Sequence, residues 1–283
     1  MDAFTLQNWS PEVRVQLIKG LTKERLLAFP AFQQWEKTLK SSLAQQKFTS
    51  HAFNKDPYQL RSIEIKSFYQ APGGRLLFVT LEADVRNKSK NALPGFVFLR
   101  GGAVTVLMIL RPNDVRDERW VIMTEQPRIP SGSLQFMEIP AGMMDDSKNF
   151  SGQAAKEIEE EVGLVVNEAD LIDMTELALQ GYKAKENLQS AMYPSPGGCD
   201  EAIKIYLWEK EMDRQRIENL KGRLTGVRAE RENITVRLWE YERFLEVGAR
   251  DAKALAAWSL YEYLKRTGAL EKDYETSQKI PSG

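Results

Sequence analysis

Residues Glu138–Leu164 read "EIPAGMMDDSKNFSGQAAKEIEEEVGL". Four glutamates, Glu157, Glu159, Glu160 and Glu161, crowd the end of what patterns as one short helix. Like charges three or four residues apart on a helix repel by roughly 0.2–0.5 kcal/mol per pair, so this density needs a physical reason. The spacing predicts a helix over residues 149–162 that stops at Gly163. Ala154, Ile158 and Val162 form its apolar stripe, and Glu157, Glu160 and Glu161 converge on another face. Three carboxylates in one small volume must be solvated, protonated or bridged by cations, and hard carboxylate oxygens suit Mg²⁺ or Mn²⁺. An isolated acidic run is usually a solvated face. Here the order of parts, a strand, a turn at Pro140-Ala141, the loop-forming Gly142, the glutamates and then Gly163, favours a cation site.

Outward from this stretch the chain changes period several times. The first fifty residues are expected to be helical, with Pro11 behind Ser10 as a helix start and Phe32, Trp35, Leu39 and Leu43 at helical spacing. Residues 58–110 hold the short β-rich runs "YQLRSIEIKSF", "GRLLFVTLEADV", "GFVFL" and "AVTVLMIL", divided by "APGG", "RNKSKNALPG" and "RGG". "WVIMTEQPRI" and "LQFMEI" are further strands, the second ending at Pro140 because proline cannot continue an internal ladder. Beyond the acidic helix, "AIKIYLWE" and "NITVRLWEYE" are strands separated by a highly charged segment, residues 210–232, expected to contain helix and loop. The run from Asp251 to Gly268 predicts a capped C-terminal helix, and residues 271–283 a disordered tail. Trp208, Trp239, Trp258 and Tyr261 fall on these patterns as core residues.

Composition removes several function classes. There are 39 Lys and Arg against 40 Asp and Glu, so bulk charge asks for neither nucleic acid nor an anionic membrane. No apolar run approaches the roughly 20 residues of a membrane span, and the N-terminus lacks the features of a secretory or transit signal. The one cysteine, Cys199, excludes an internal disulfide framework and fits a reducing compartment. A cytoplasmic protein, with nuclear access open, is the expectation. Cys199 is a poor candidate nucleophile because the one histidine, His51, lies far upstream.

The stretch resembles the signature of the Nudix hydrolases, G-x5-E-x7-R-E-U-x-E-E-x-G-U, with Gly142, Lys148, Lys156-Glu157-Ile158, Glu159, Glu160-Glu161, Val162 and Gly163-Leu164 in its positions. Lys148 stands in place of the first glutamate and Lys156 in place of the arginine, so the ion pair that braces loop against helix cannot form between them; Asp145 or Asp146 is the alternative partner for Lys156. "TEQPR", "EIPAGMMDD", "SPGGCDE" and "ERENITVRL" extend the resemblance to the ADP-ribose and ADP-sugar pyrophosphatase branch, with particular similarity to plant ADP-sugar diphosphatases.

That resemblance implies an α+β protein: a Nudix α/β/α sandwich with mixed sheet over residues 101–270, preceded by a helical extension (1–50) and a small antiparallel sheet used for dimerisation (51–100). It implies divalent-metal-dependent hydrolysis of nucleoside diphosphate sugars, ADP-glucose or ADP-ribose, to AMP and a sugar phosphate, in a homodimer. Carried over by position, Glu157 and Glu161 are metal ligands, Glu160 a ligand or water-mediated partner counted with the catalytic groups, and the Ala141 carbonyl a further ligand. Glu230 and Glu232 supply the base, their roles exchangeable, with Glu232 alternatively on a metal. Arg128 contacts the substrate phosphates, Glu138 orients the site or reaches the metal, and Gly197 and Gly198 bring backbone N–H groups to substrate oxygens. GDP-mannose, NADH or dinucleoside polyphosphate hydrolysis, and nucleotide-sugar binding with weakened turnover, are the alternatives.

Overall fold

The computed structural model describes residues 2–115, 117–144, 149–182, 186–226 and 233–271. Apart from Glu271, which is helical, the expected tail lies outside the described residues. The chain divides into two compact units, one made of Met1–Gly102, Lys183–Gln189 and Ser195–Ala202, the other of Ala103–Tyr182, Ser190–Pro194 and Ile203–Gly283.

The first unit is built on a six-stranded sheet among its described residues. Its elements are β1 (Ala3–Leu6), β2 (Val13–Gln16), α1 (Lys23–Ala28), α2 (Pro30–Gln45), β3 (Gln59–Gln70), β4 (Leu76–Arg86), β5 (Ala92–Leu93) and β6 (Phe96–Leu99). Here the helical expectation for the first fifty residues fails in part, because residues 3–6 and 13–16 are strands. Their short alternation, Val13 and Val15 fully buried with Arg14 exposed, is completed by parallel pairing of β2 with β3. Long-range pairing of this kind outweighs a local cap-like Ser-Pro. The helix at Phe32–Leu43 is present as α2, with proline at its first turn.

The second unit contains β7 (Gly102–Pro112), β8 (Trp120–Arg128), β9 (Ser133–Glu138), β10 (Ala141–Met143), α3 (Phe150–Val162), β11 (Ile172–Asp173), α4 (Met174–Leu179), β12 (Ala202–Met212), α5 (Arg214–Glu218), β13 (Leu224–Thr225), β14 (Ile234–Glu240), α6 (Leu245–Gly248) and α7 (Ala252–Arg266). Its sheet runs β11-β12-β7-β8-β14-β13, with β10 on β7 and β9 on β8. β7 is buried on both faces, and its side chains sort by alternation into two cores. Ala103, Leu107 and Ile109 pack with α4, α6 and α7; Val104, Val106, Met108 and Leu110 pack with α3 and α5. Helices on both faces of one sheet make the expected α/β/α sandwich.

The stripe read from the sequence faces this second core, where Ala154, Ile158 and Val162 are fully buried. Asn149 caps α3 by accepting from Gly152 N–H at 3.1 Å, and Gly163 ends it at φ +73°. Because the stripe is the anchor that aims the opposite glutamates, Ile158→Ala is expected to lower the unfolding free energy by about 2–5 kcal/mol. Urea unfolding measures this, and an unchanged midpoint would contradict it.

Candidate functional site

Two strand ends and one helix build the acidic site. β10 pairs with β7 through Ala141↔Thr105 and Gly142↔Val104, which lays residues 141–143 along α3. Ala141 donates its backbone N–H to Glu161 Oε2 at 2.9 Å, and Gln126 of β8 donates to Oε1 at 3.3 Å. Glu161 is only 3% exposed. Burial first, then the charges of Glu157 and Glu138, push its carboxyl up to about 8, against the smaller pull of Ala141 N–H and Arg128.

Glu157 lies one helical turn back and is held by Gln153, whose amide donates to Oε1 at 2.6 Å. A Cβ at position 142 would stand 1.7 Å from the Glu157 carboxyl carbon, so glycine is required for the carboxylate to occupy that place. The expectation of an unobstructed loop residue at Gly142 is corrected: it sits on a strand, and the open space is filled by a glutamate. Glu160 faces Lys156 at 3.7 Å on the exposed side of the helix. At its end, α3 is tied down by β13: Glu160 and Glu161 carbonyls accept from Gly226 N–H at 3.0 Å and Thr225 Oγ1 at 2.5 Å. These bonds satisfy carbonyls that a helix terminus otherwise leaves open.

Behind the pair stands an ion network. Glu138, at the end of β9 and 2% exposed, receives Arg128 Nε on Oε1 at 2.6 Å and Lys253 Nζ on Oε2 at 2.9 Å. Lys253 also donates to Asp251 Oδ1 at 2.9 Å. Burial opposes the ammonium charge of Lys253, but Glu138 and Asp251 outweigh it and raise its affinity for the proton.

The structure thus gathers Ala141, Glu157, Glu161, Glu138 and Arg128, with Glu160 beside them on the helix. Gly197 and Gly198 belong to the first unit, where the Gly198 carbonyl accepts from Phe98 N–H at 2.7 Å. Glu230, Glu232, Lys148, Asp145 and Asp146 lie outside the described residues. Among the described residues no three His, Cys, Asp or Glu side chains gather as a ready metal centre. The donor set is a pair of carboxylates, Glu157 and Glu161, with Glu160 paired to Lys156. A buried carboxylate with raised proton affinity beside a second carboxylate fits a hard divalent cation, which relieves the repulsion both feel.

Gln126, Gln153, Asp251 and Lys253 were not singled out as site residues by the sequence. Asp251 reads as a helix cap, which it is, and Lys253 as an ordinary helix lysine; its partner Glu138 is 115 residues away. Cys199 is free and half-buried, and burial pushes its thiol up, away from nucleophile character.

No family model matches the chain. Nudix hydrolase 14, chloroplastic, of Arabidopsis thaliana is 38% identical over 200 residues, which cover 69% of this chain and 60% of that protein. Over that stretch this chain is similar to a Nudix hydrolase, and it spans less than two thirds of that relative's length. The ADP-ribose pyrophosphatase of Bacillus subtilis is 29% identical over 154 residues, 53% of this chain and 69% of that one. A crystal structure of an ADP compounds hydrolase is similar at a TM-score of 0.44 and 16% identity, over 75% of this chain and 98% of the other. In the stretch that resembles the Nudix signature, the glutamate pair and Gly142 keep their places, while the arginine position is held by an exposed lysine.

Two outcomes follow from the geometry. Gly142→Ala displaces only the flexible end of Glu157, so its melting temperature stays near that of the parent while Mg²⁺ affinity falls roughly tenfold or more; calorimetric titration with unchanged affinity would contradict this. Glu161 holds in the folded chain a proton that the unfolded chain has lost above about pH 4.5, so metal-free stability falls as pH rises toward about 8. Glu161→Gln removes this slope, and melting curves across that window should show the variant becoming the more stable protein at the alkaline end.

Proposed function

We propose that this chain hydrolyses the pyrophosphate bond of nucleoside diphosphate sugars of the ADP-ribose and ADP-glucose class, yielding AMP and a sugar phosphate, with Mg²⁺ or Mn²⁺ as cofactor. The observation that carries the reading is the buried Glu161, fixed by Ala141 N–H, beside a Glu157 carboxylate that occupies the space left by Gly142. The substrate class is supported by the names of the relatives, an ADP-ribose pyrophosphatase among them.

Glu157, Glu161 and the Ala141 carbonyl would hold the cation, with Glu160 as ligand or water-mediated partner. When bound, a divalent ion offsets charge developing on the pyrophosphate oxygens. Arg128 meets the same phosphates, its planar fork suiting them better than an ammonium would. Water attack on phosphorus needs a base distinct from the ligands. Glu230 or Glu232 supplies it, and the chain leading to them is tied to the helix at Gly226, whose N–H reaches the Glu160 carbonyl. Gly197 offers its N–H to substrate oxygens, whereas the Gly198 N–H is donated to the Ser195 carbonyl at 3.2 Å, and a homodimer forms through the sheet of the first unit. No helix among the described residues is long and apolar enough to cross a membrane.

A second reading, nucleotide-sugar binding with weakened turnover, is favoured by one observation: Lys156 is exposed and paired with Glu160. One assay separates the readings. Product analysis with Mg²⁺ across ADP-ribose, ADP-glucose, GDP-mannose, NADH and nucleoside triphosphates should show AMP released from the ADP-sugars; equal turnover of triphosphates overturns the substrate class, and tight binding without AMP release favours the second reading. Lys156→Arg in the same assay should preserve or raise the rate, because guanidinium restores a planar donor fork; a clear loss would count against that.

A further inference from the structure

Arg128 is a long, partly exposed side chain, and such chains sample many rotamers unless something holds them. One hold on it is a sequence of buried groups that ends on backbone. Its Nε donates to Glu138 Oε1 at 2.6 Å; Oε2 of the same carboxylate is occupied by Lys253 Nζ at 2.9 Å. Lys253 is set in turn by Asp251 Oδ1 at 2.9 Å. Asp251 is locked twice, by capping α7 through Lys253 N–H at 3.0 Å and by accepting Ile139 N–H at 3.3 Å on Oδ2. Glu138 and Asp251 are each at most 3% exposed, so every bond but the one at Arg128 lies away from solvent screening.

The two oxygens of Glu138 matter here. A carboxylate with both oxygens open draws guanidinium into a bidentate fork, which would turn the donor edge of Arg128 inward. With Lys253 on Oε2, Glu138 meets Arg128 through Oε1. We propose that Lys253 is a positioning residue: acting through Glu138, it sets the plane and reach of the Arg128 guanidinium toward the pyrophosphate of the substrate. The inference rests on the pyrophosphohydrolase reading above.

Steady-state kinetics of the full chain with ADP-ribose at saturating Mg²⁺ test it in a cycle of Lys253→Met, Arg128→Lys and the double variant. Lys253→Met should raise KM about tenfold, the scale of one lost well-aimed charge-assisted bond, with kcat changed less. The double variant should be no worse than Arg128→Lys alone, because the two act on one contact. Lys253→Arg should bring KM back toward the parent value. A purely structural lysine would lower the melting temperature and leave KM alone, or its effect would multiply with that of Arg128→Lys; either result overturns the proposal. If Lys253→Met melts below the assay temperature, Lys253→Gln, which keeps a donor without the charge, is read against the same expectations. A parent chain that turns over no ADP-sugar overturns the reading of the site and this inference with it, whereas parental turnover with an unmoved KM in the variants overturns the inference alone.

Discussion

The hydrogen bond from Ala141 N–H to the buried carboxylate of Glu161 is the contact on which the candidate site depends. It joins the strand end to the helix, fixes one carboxylate in a place where water is scarce, and leaves Glu157 the space over Gly142. Burial disfavours ionisation of Glu161, and the charges of Glu157 and Glu138 add to the effect. An arrangement that is unfavourable as two bare charges becomes favourable once a hard cation lies between them. Under the proposed cation site, that is the physical reason for crowding glutamates on α3.

The rest of the second unit serves this contact. A central strand buried on both faces holds α3 on one side through Ala154, Ile158 and Val162 and α7 on the other through Ala254, Ala257 and Tyr261. The N-terminus of α7 delivers Asp251 and Lys253 to Glu138 on the neighbouring strand end. Opposite faces of the sandwich therefore reach the same small region by different means: α3 contributes negative charge, and α7 contributes a cation that holds a carboxylate and, through it, an arginine.

Much of this was legible in the sequence, for reasons that differ by element. The helix was legible because its cap, stripe, glutamates and stop fall within fifteen consecutive positions, 149–163, and each obeys local rules. The strands around it were legible because their β-branched runs are long enough to show their period. β1 and β2 are not legible as strands because four residues carry too little periodicity, and the partner that makes β2 a strand, β3, lies far along the chain. Lys253 left no local mark of its role, since its meaning comes from Glu138 across the fold. Gly142 was legible as a special position; that a glutamate fills its missing side chain was visible only in three dimensions.

The central claim is that Glu161 and Glu157 form a divalent-cation site whose buried member carries a proton until the ion arrives. Calorimetric titration of Mg²⁺ into the metal-free protein near pH 7, in two buffers of different ionisation enthalpy, measures this directly. Release of roughly one proton per bound ion, seen as a buffer-dependent heat, is the predicted result. Heats identical in the two buffers would contradict it.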